Sequence, residues 1–390
     1  MAATEGGVGR GWAWACTRAK VRAQVGALLK ALLGGAMASG AAQAMPLPED
    51  KAELIYHVYD GGGVQATGPA LLVRKSLADR VSLSAQYYVD AVSNASIDVV
   101  TTASPFRETR TAWDLGADFV VRDSTLTLGL NRSREPDYHA DTLSLDVAHE
   151  VFGGMTTLNL GFSRARDRVG RHSRGVADLS SGGFFDQATR WQYRAGATQI
   201  LSPRWLASAN FEAISDTGYL GSPYRAARVF GAAVPERNPR TRSSRAVKLR
   251  TLGEVAAGTS LRADYRYFWD TWDVRAHTVE LAVARQFGPA LLADVSVRSY
   301  SQGKALFYSD NAQVETAFVS RNRQLSSFKT LGLGAKLSWT VPGLPPRYGV
   351  KLTGAVELKR FRFADFTDLR TGQPYRYDAK VLQVFVSSTY

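Results

Sequence analysis

The sequence has a single cysteine, Cys16, among its 390 residues, and this scarcity excludes two ways of holding a protein together. One thiol forms neither an internal disulfide framework nor a thiolate metal site. Long apolar runs are also missing, since no stretch after Met45 approaches the roughly 18 apolar residues that a spanning helix needs. Long periodic helices are absent as well. An exported soluble protein and a transmembrane β-barrel both remain.

The first 44 residues are predicted to be a signal peptide. Basic residues between positions 10 and 22 precede an apolar run over 25–36, which leads into small residues ending in A42-Q-A44. The alternative is an amphipathic helix of the mature protein. Cleavage before Met45 would remove Cys16 and leave residues 45–390 as one domain.

Apolar and polar residues alternate in short segments along the whole mature chain. Segments 113–121, 261–269 and 350–358 each place aromatic and aliphatic residues on one face and mostly charged or small residues on the other. This period of two is typical of β-strands. Such segments predict about sixteen strands, with fourteen as the alternative, starting near 53–59 and ending at 381–390.

The connections between these segments differ in length. Short ones are predicted at 77–80, 122–124, 151–154, 201–204, 256–258, 287–289 and 342–346, and long ones at 90–109, 132–140, 164–188, 215–244, 301–329 and 361–378. Short turns on one rim and long loops on the other are typical of outer-membrane barrels, with the turns in the periplasm. Aromatic residues near both strand ends fit an interfacial girdle, although a soluble sheet also pairs aromatics. The predicted fold is an all-β, antiparallel transmembrane β-barrel in the outer membrane.

The last segment is predicted to close this barrel. An unpaired strand edge is not tolerated in lipid, so the last strand must pair with the first. Four residues of this segment fall on one face of the predicted strand and would point toward lipid: Leu382, Val384, Val386 and Tyr390.

Three stretches carry a family resemblance: YYVDAVSNASIDVVTTASPFRETRT at 87–111, WDLGADFVVRDSTLTLGL at 113–130 and MTTLNLGFSRARDRVG at 155–170. Together they resemble a family of Gram-negative proteins known as domain of unknown function 3570. The resemblance implies an outer-membrane barrel without an established activity. It also implies a link to periplasmic thioredoxin-like or flavinylated partners, and it assigns no catalytic residue. The aromatic end of the last strand resembles the signal that the outer-membrane insertion machinery reads.

Candidate metal ligands and catalytic residues are few. Asp90, Asn94 and Asp98 offer oxygen ligands for Ca²⁺ in the predicted 90–109 loop, although such residues also make turns. The alternative is that this loop folds inward and constricts the lumen. His139 and His172 are the candidate bases of a barrel enzyme, but their sequence contexts match no barrel hydrolase, so neither an enzyme nor a cofactor is predicted.

Arginine clusters in the predicted long loops suggest contact with lipopolysaccharide. Guanidinium groups pair bidentately with phosphate, which is dense in the outer leaflet; steering of anions toward a pore is the alternative. No nucleic-acid-binding module accompanies these arginines. The candidates are Arg164, Arg166, Arg168, Arg171, Arg174, Arg237, Arg240 and Arg242.

Charged residues on the second face of the strands are predicted to point into the lumen. They are Asp114, Asp118, Arg122, Arg194, Arg262, Asp264, Arg266, Lys351 and Glu357. Buried opposite charges must pair or be hydrated, so they form a salt-bridged plug or line a water-filled pore. The predicted function is a passive conduit for small polar solutes. The alternative is a barrel that docks periplasmic redox partners.

Overall fold

The computed structural model describes residues 47–94, 106–170, 184–345 and 347–390. These residues form a closed antiparallel barrel of sixteen strands, so the larger of the two predicted strand numbers is confirmed. The predicted signal peptide lies outside the described residues. Within the described ranges, no helix is long and apolar enough to cross a membrane.

The barrel strands follow one another around the ring, apart from β10 and β11, which pair with each other in a separate small sheet. The strand bounds are β1 Lys51–Gly61, β2 Val64–Ala78, β3 Val81–Asn94, β4 Phe106–Val121, β5 Ser124–Arg134, β6 Tyr138–Val151, β7 Thr156–Gly170, β8 Phe184–Ser202, β9 Trp205–Gly218, β10 Ala226–Val229, β11 Ala232–Pro235, β12 Thr241–Ala256, β13 Thr259–Asp270, β14 Arg275–Phe287, β15 Leu291–Gln302, β16 Phe328–Thr340, β17 Gly349–Asp368 and β18 Gln373–Thr389.

The first and last barrel strands close the ring, as predicted. β1 pairs with β18 in an unbroken antiparallel register from Lys51 opposite Thr389 to Gly61 opposite Ala379. Tyr390 follows directly, and its backbone N–H donates to the Asp50 carbonyl at 3.3 Å. Its hydroxyl donates to the Arg74 carbonyl at 3.2 Å. No strand of the ring therefore has an unpaired edge.

The two faces of each strand differ in chemistry. On β4, Trp113 and Leu115 are 58% and 49% exposed, whereas the intervening face carries Asp118, which is 1% exposed. Successive side chains of a strand point to opposite sides of the sheet, so the exposed apolar face is the outside of the barrel. Leu382 and Val384 lie on this outer face of β18. An apolar exterior of this extent requires hydrocarbon rather than water around it.

The connections on the rim that carries both chain ends are short, whereas the connections on the opposite rim differ widely in length. Predicted long loops at 132–140 and 361–378 are wrong: β5, β6, β17 and β18 continue through most of them and leave only 135–137 and 369–372 as connections. Strand pairing depends on the backbone, which continues beyond the membrane wherever a neighbouring strand is present. These segments are rich in arginine and other polar residues, a composition that is also typical of loops.

Candidate functional site

The lumen is lined by the predicted charged residues, with one exception. Eight of them occupy the alternating strand positions that face inward: Asp114, Asp118, Arg194, Arg262, Asp264, Arg266, Lys351 and Glu357. Arg122 does not, because β4 ends at Val121 and Arg122 occupies the following turn with φ of 51°. It is exposed on the rim of the chain ends. The prediction that Arg122 faces the lumen is therefore wrong.

Several lumen charges pair with partners along the wall, two strands away. Arg194 on β8 donates to both oxygens of Asp146 on β6, at 2.9 and 3.0 Å, across the intervening β7. Gly161 of β7 makes this possible, since a Cβ there would lie 2.4 Å from the Asp146 Oδ1. Arg266 on β13 likewise reaches Glu212 on β9, at 3.0 Å, across β12. In both pairs the opposite charges neutralise each other along the wall.

Asp264 is the centre of a network of charges on the wall. Its carboxylate accepts from Arg250 at 2.6 Å and lies 3.2 Å from Arg262 and 3.3 Å from Lys248. Arg262 also donates to Glu280 at 2.7 Å. Both arginines and both carboxylates are less than 10% exposed. One carboxylate therefore lies among three cations in a weakly hydrated part of the wall.

Removing this carboxylate is expected to destabilise the barrel. Asp264→Ala leaves three nearby cations without their shared partner, and breaking a buried ion pair on one side costs about 3–5 kcal/mol. The measurement is the denaturant midpoint of the detergent-folded protein, read from heat-modifiable gel mobility. Asp378→Ala is the matched control, because Asp378 pairs with Arg360 in an exposed position, with side chains 61% and 60% exposed. A midpoint equal in the two variants would contradict the network's role.

Water reaches part of the lumen wall. Although the Arg194–Asp146 pair faces inward, its side chains are 41% and 42% exposed. Glu357 bonds Lys359 at 3.1 Å, with side chains 33% and 20% exposed. At these levels the paired charges of the wall are accessible to solvent.

Two long connections cover the mouth of the barrel opposite the chain ends. We call them together the cap: residues 219–240, which include the β10–β11 hairpin, and residues 303–327. They are joined by isolated bridges, Val229 to Ala312 and Arg237 to Val319. The Ser320 hydroxyl also donates to Glu236 at 2.8 Å. The two segments therefore pack as one unit.

The cap crosses the mouth from one side to the other. β9, where the 219–240 segment starts, lies opposite β1 whichever way the ring is followed. Yet Glu236 of this segment accepts a hydrogen bond from the backbone N–H of Arg321 at 3.0 Å, two residues from Arg323. Arg323 in turn lies 5.4 Å from the Tyr377 ring and 3.5 Å from the Gly62 carbonyl, in the β1–β2 turn. A continuous set of contacts thus spans the opening.

Arg321 fixes the cap to the rim of β17. Its Nη2 donates to the Thr367 carbonyl at 2.6 Å, and its Nε donates to Asp310 Oδ1 at 2.9 Å. The guanidinium also stacks 4.3 Å from the Phe366 ring, and Arg321 is 5% exposed. Buried aromatic residues surround this contact: Trp272, Tyr308, Phe363, Phe366 and Tyr375.

The cap carries a positive charge at Arg225, which is half-buried. Burial lowers the pKa of the Arg225 guanidinium to about 10, and the nearby Glu236 carboxylate opposes that shift. Arg225 therefore stays protonated at neutral pH. Arg225 lies near Glu236, and Arg321 pairs with Asp310 at 2.7 Å, so both cap arginines have acidic neighbours.

The predicted metal ligands are not brought together. Asp90 and Asn94 lie on β3, about 13 Å apart at the usual rise per residue, and Asp98 lies outside the described residues. Asp90 is buried in the lumen wall, where its oxygens contact His57 Nε2 and the Tyr88 hydroxyl, each at 2.6 Å. The predicted constriction by 90–109 falls mostly outside the described residues.

A different carboxylate group has metal-binding geometry. Oxygens of Glu108, Glu135 and Asp137 lie within 4.8 Å of one another at the outer ends of β4 and β5. Tyr224 of the cap donates a hydrogen bond to Asp137. Three carboxylates could hold a hard divalent cation here. Glu108 pairs with Val92 of β3, but Glu135 and Asp137 lie far along the chain, so only strand pairing brings these three carboxylates together.

The predicted lipopolysaccharide contacts fall into three environments. Arg164, Arg166 and Arg168 lie on the outer face of strand β7, not in a loop, while Arg171 and Arg174 lie outside the described residues. Arg237 and Arg240 belong to the cap, where Arg240 pairs with Asp186 at 2.7 Å. The prediction for Arg242 is wrong, because it points inward and donates to Asp270 at 2.8 Å.

His139, the candidate base, lies on the outer face of β6. Its ring neighbours are Arg168, at 3.3 Å, and Phe184, at 4.6 Å between ring centroids. Neither neighbour is a nucleophile. His172 lies outside the described residues.

The closed ring, apolar exterior and charged interior define a transmembrane β-barrel of the outer-membrane type. Within that class, the chain belongs to the family described as "Protein of unknown function (DUF3570)", which matches residues 96–357. No curated protein matches the chain.

Solved outer-membrane barrels have a similar fold at low sequence identity. A bacterial polysaccharide outer membrane secretin is 9% identical, with 88% of this chain and 99% of that chain covered and a TM-score of 0.51. The siderophore receptor PirA from Pseudomonas aeruginosa is 10% identical, covering 88% and 81%, with a TM-score of 0.41. The Pseudomonas putida toluene transporter TodX is 11% identical, covering 88% and 90%, with a TM-score of 0.38. At these identities the similarity concerns the fold alone.

Proposed function

We propose that this barrel is a passive conduit for small polar solutes across the outer membrane, restricted at its outer mouth by the cap. The observation that carries the proposal is the solvent-exposed Arg194–Asp146 pair inside the barrel. Ion pairs that line a wall and still contact water are suited to a hydrated pore. A sealed interior would instead bury them.

Charge pairing along the wall supports the choice of solute. Arg–carboxylate pairs offer donors and acceptors to a passing polar molecule, while their local neutralisation avoids trapping it through one strong charge. Apolar solutes would gain nothing from this surface. The cap adds a size limit, because its two segments cross the opening.

Purified protein in planar bilayers is expected to give discrete ion-conductance steps. Arg194→Gln should shift the reversal potential in a salt gradient toward greater cation preference, because it removes a positive charge that faces the lumen. Arg360→Gln is the matched control, since it removes the same charge from the outer face. The control is expected to shift the potential much less.

Two outcomes would count against the conduit. A folded barrel that stays electrically silent, even after the cap is detached, would favour docking of a periplasmic thioredoxin-like or flavinylated protein, and capture of such a partner would support that alternative. Equal shifts from Arg194→Gln and Arg360→Gln would mean that the ions do not pass Arg194.

A further inference from the structure

Five arginines form a compact patch on the outer face of the barrel. Arg132 and Arg134 lie on β5, and Arg164, Arg166 and Arg168 lie on β7. All five occupy the same alternating positions as the exposed leucines of these strands, so their side chains point outward. We call them the outer arginine patch. The patch does not involve the lumen, so it has no part in the proposed conduit.

Strand register brings these arginines together. Across β6, Arg134 and Arg168 flank His139, and Arg132 and Arg166 flank Asp141. β5 and β7 are two strand spacings apart, or about 10 Å, and successive outward residues rise about 7 Å along a strand. Several guanidinium groups can therefore contact one headgroup that carries more than one phosphate.

The charge of the patch is unbalanced. On the described outer faces of β5, β6 and β7, Asp141 is the only acidic residue, and it accepts from Arg132 Nε at 2.5 Å. Four arginines thus remain in excess. The buried Nε of Arg164 also has no hydrogen-bond partner among the described residues. Within the part of the chain that the structure describes, the patch therefore keeps a positive charge that an anionic partner could neutralise.

The height of the patch identifies where that partner lies. Directly below it on β5 and β7 are Leu130, Leu160 and Phe162, which face hydrocarbon. Trp191, an aromatic of the girdle, packs 4.6 Å from the Arg164 guanidinium. Tryptophan beside arginine is typical of the membrane level at which the acyl chains end and the headgroups begin. The rim is the one opposite the chain ends, and so the outer leaflet.

From these observations we infer that the outer arginine patch is a binding site for the phosphate groups of an outer-leaflet glycolipid. Guanidinium groups bind phosphate bidentately, and the rigid strands hold them in fixed register. The neighbouring apolar face packs the acyl chains of the same molecule. One lipid would therefore satisfy both the cationic and the apolar surfaces.

The test measures binding of lipid A to detergent-folded protein by native mass spectrometry and titration. The variant Arg164→Ala/Arg166→Ala/Arg168→Ala should lower the affinity for bisphosphorylated lipid A at least about thirtyfold, because each charged hydrogen bond lost is worth about tenfold. Dephosphorylated lipid A should bind wild type as weakly as bisphosphorylated lipid A binds this variant. Excess inorganic phosphate should displace little lipid, since it cannot use the apolar surface.

A second cationic group on the same rim provides the matched control. Arg360, Arg362 and Arg376 also face outward, on β17 and β18. Their triple alanine variant should change the affinity less than about threefold, the expected effect of general surface charge. Equal losses from both variants would overturn the site, as would unchanged binding of dephosphorylated lipid.

A conservative variant covers the case in which the alanine protein fails to fold. Replacing Arg164, Arg166 and Arg168 with lysine keeps the charge and removes the bidentate fork. It should keep heat-modifiable mobility and still lose about tenfold in affinity. Wild-type affinity in this variant would show that only charge matters, and full displacement by inorganic phosphate would show a free-phosphate site; either result contradicts the inference.

Discussion

Barrels in which Arg321 and Arg323 are both replaced by alanine are expected to stay open far longer than the wild type. Arg321 donates to the Thr367 carbonyl and stacks on Phe366, and Arg323 stacks on Tyr377. A charged hydrogen bond contributes about 1.5–3 kcal/mol, so even 2 kcal/mol lost raises the detached population of the cap about thirtyfold. Single-channel recordings of open time and conductance measure the effect.

The control for this experiment is Arg370→Ala. Arg370 lies on the same rim but pairs with Asp368 two residues away, and its side chain is 63% exposed. The Arg370→Ala substitution removes one positive charge from the mouth of the barrel without loosening the cap. Limited proteolysis of segment 303–327 gives a second readout that does not depend on conductance. If the double variant stays as protease-resistant as the wild type, the two arginines do not hold the cap.

A charge placed on the outer face of β18 is expected to impair folding, whereas the same charge on the inner face is tolerated. Val384 is 60% exposed on the outer face, and Gln383 is its neighbour on the lumen side. A lysine facing the middle of the bilayer costs about 2–4 kcal/mol in a barrel, and a lysine in a hydrated lumen costs little. Val384→Lys should therefore lower the stability in lipid by about that amount.

The paired variants make this a test of the membrane assignment. Val384→Lys and Gln383→Lys introduce the same charge at adjacent positions of one strand, so their net charges match. Folding into lipid vesicles, followed by denaturant titration, measures both. Equal stabilities would mean that the outer face does not contact hydrocarbon, and the barrel would then require another explanation for its apolar exterior.

The fold was largely predictable because its main signal is local. The alternation around Trp113 predicts a strand with one apolar face, and the same pattern repeats along the chain. Pairing of β1 with β18 followed from the requirement that lipid tolerates no free edge. Strand ends were less predictable: segments 132–140 and 361–378 are polar like loops, yet most of their residues pair with neighbouring strands.

The sites were less predictable because their parts are distant in sequence. The alternation predicts that Arg194 and Asp146 both face inward. Only the order of strands in the ring shows that one strand lies between them and that Gly161 on this strand leaves room for the pair. Arg321 and Arg323 gave no signal beyond lying in a long connection. Their role depends on contacts with Gly62, Thr367 and Tyr377 across the rim.

The sequence by itself determined that this chain is built of strands with one apolar and one polar face, because period-two alternation fixes which side chains share a face whatever the neighbouring strands are. Only the tertiary structure decided which charges pair, how the mouth is capped and where the outer arginines gather. These features depend on register and ring closure, which bring together residues that the linear chain keeps far apart.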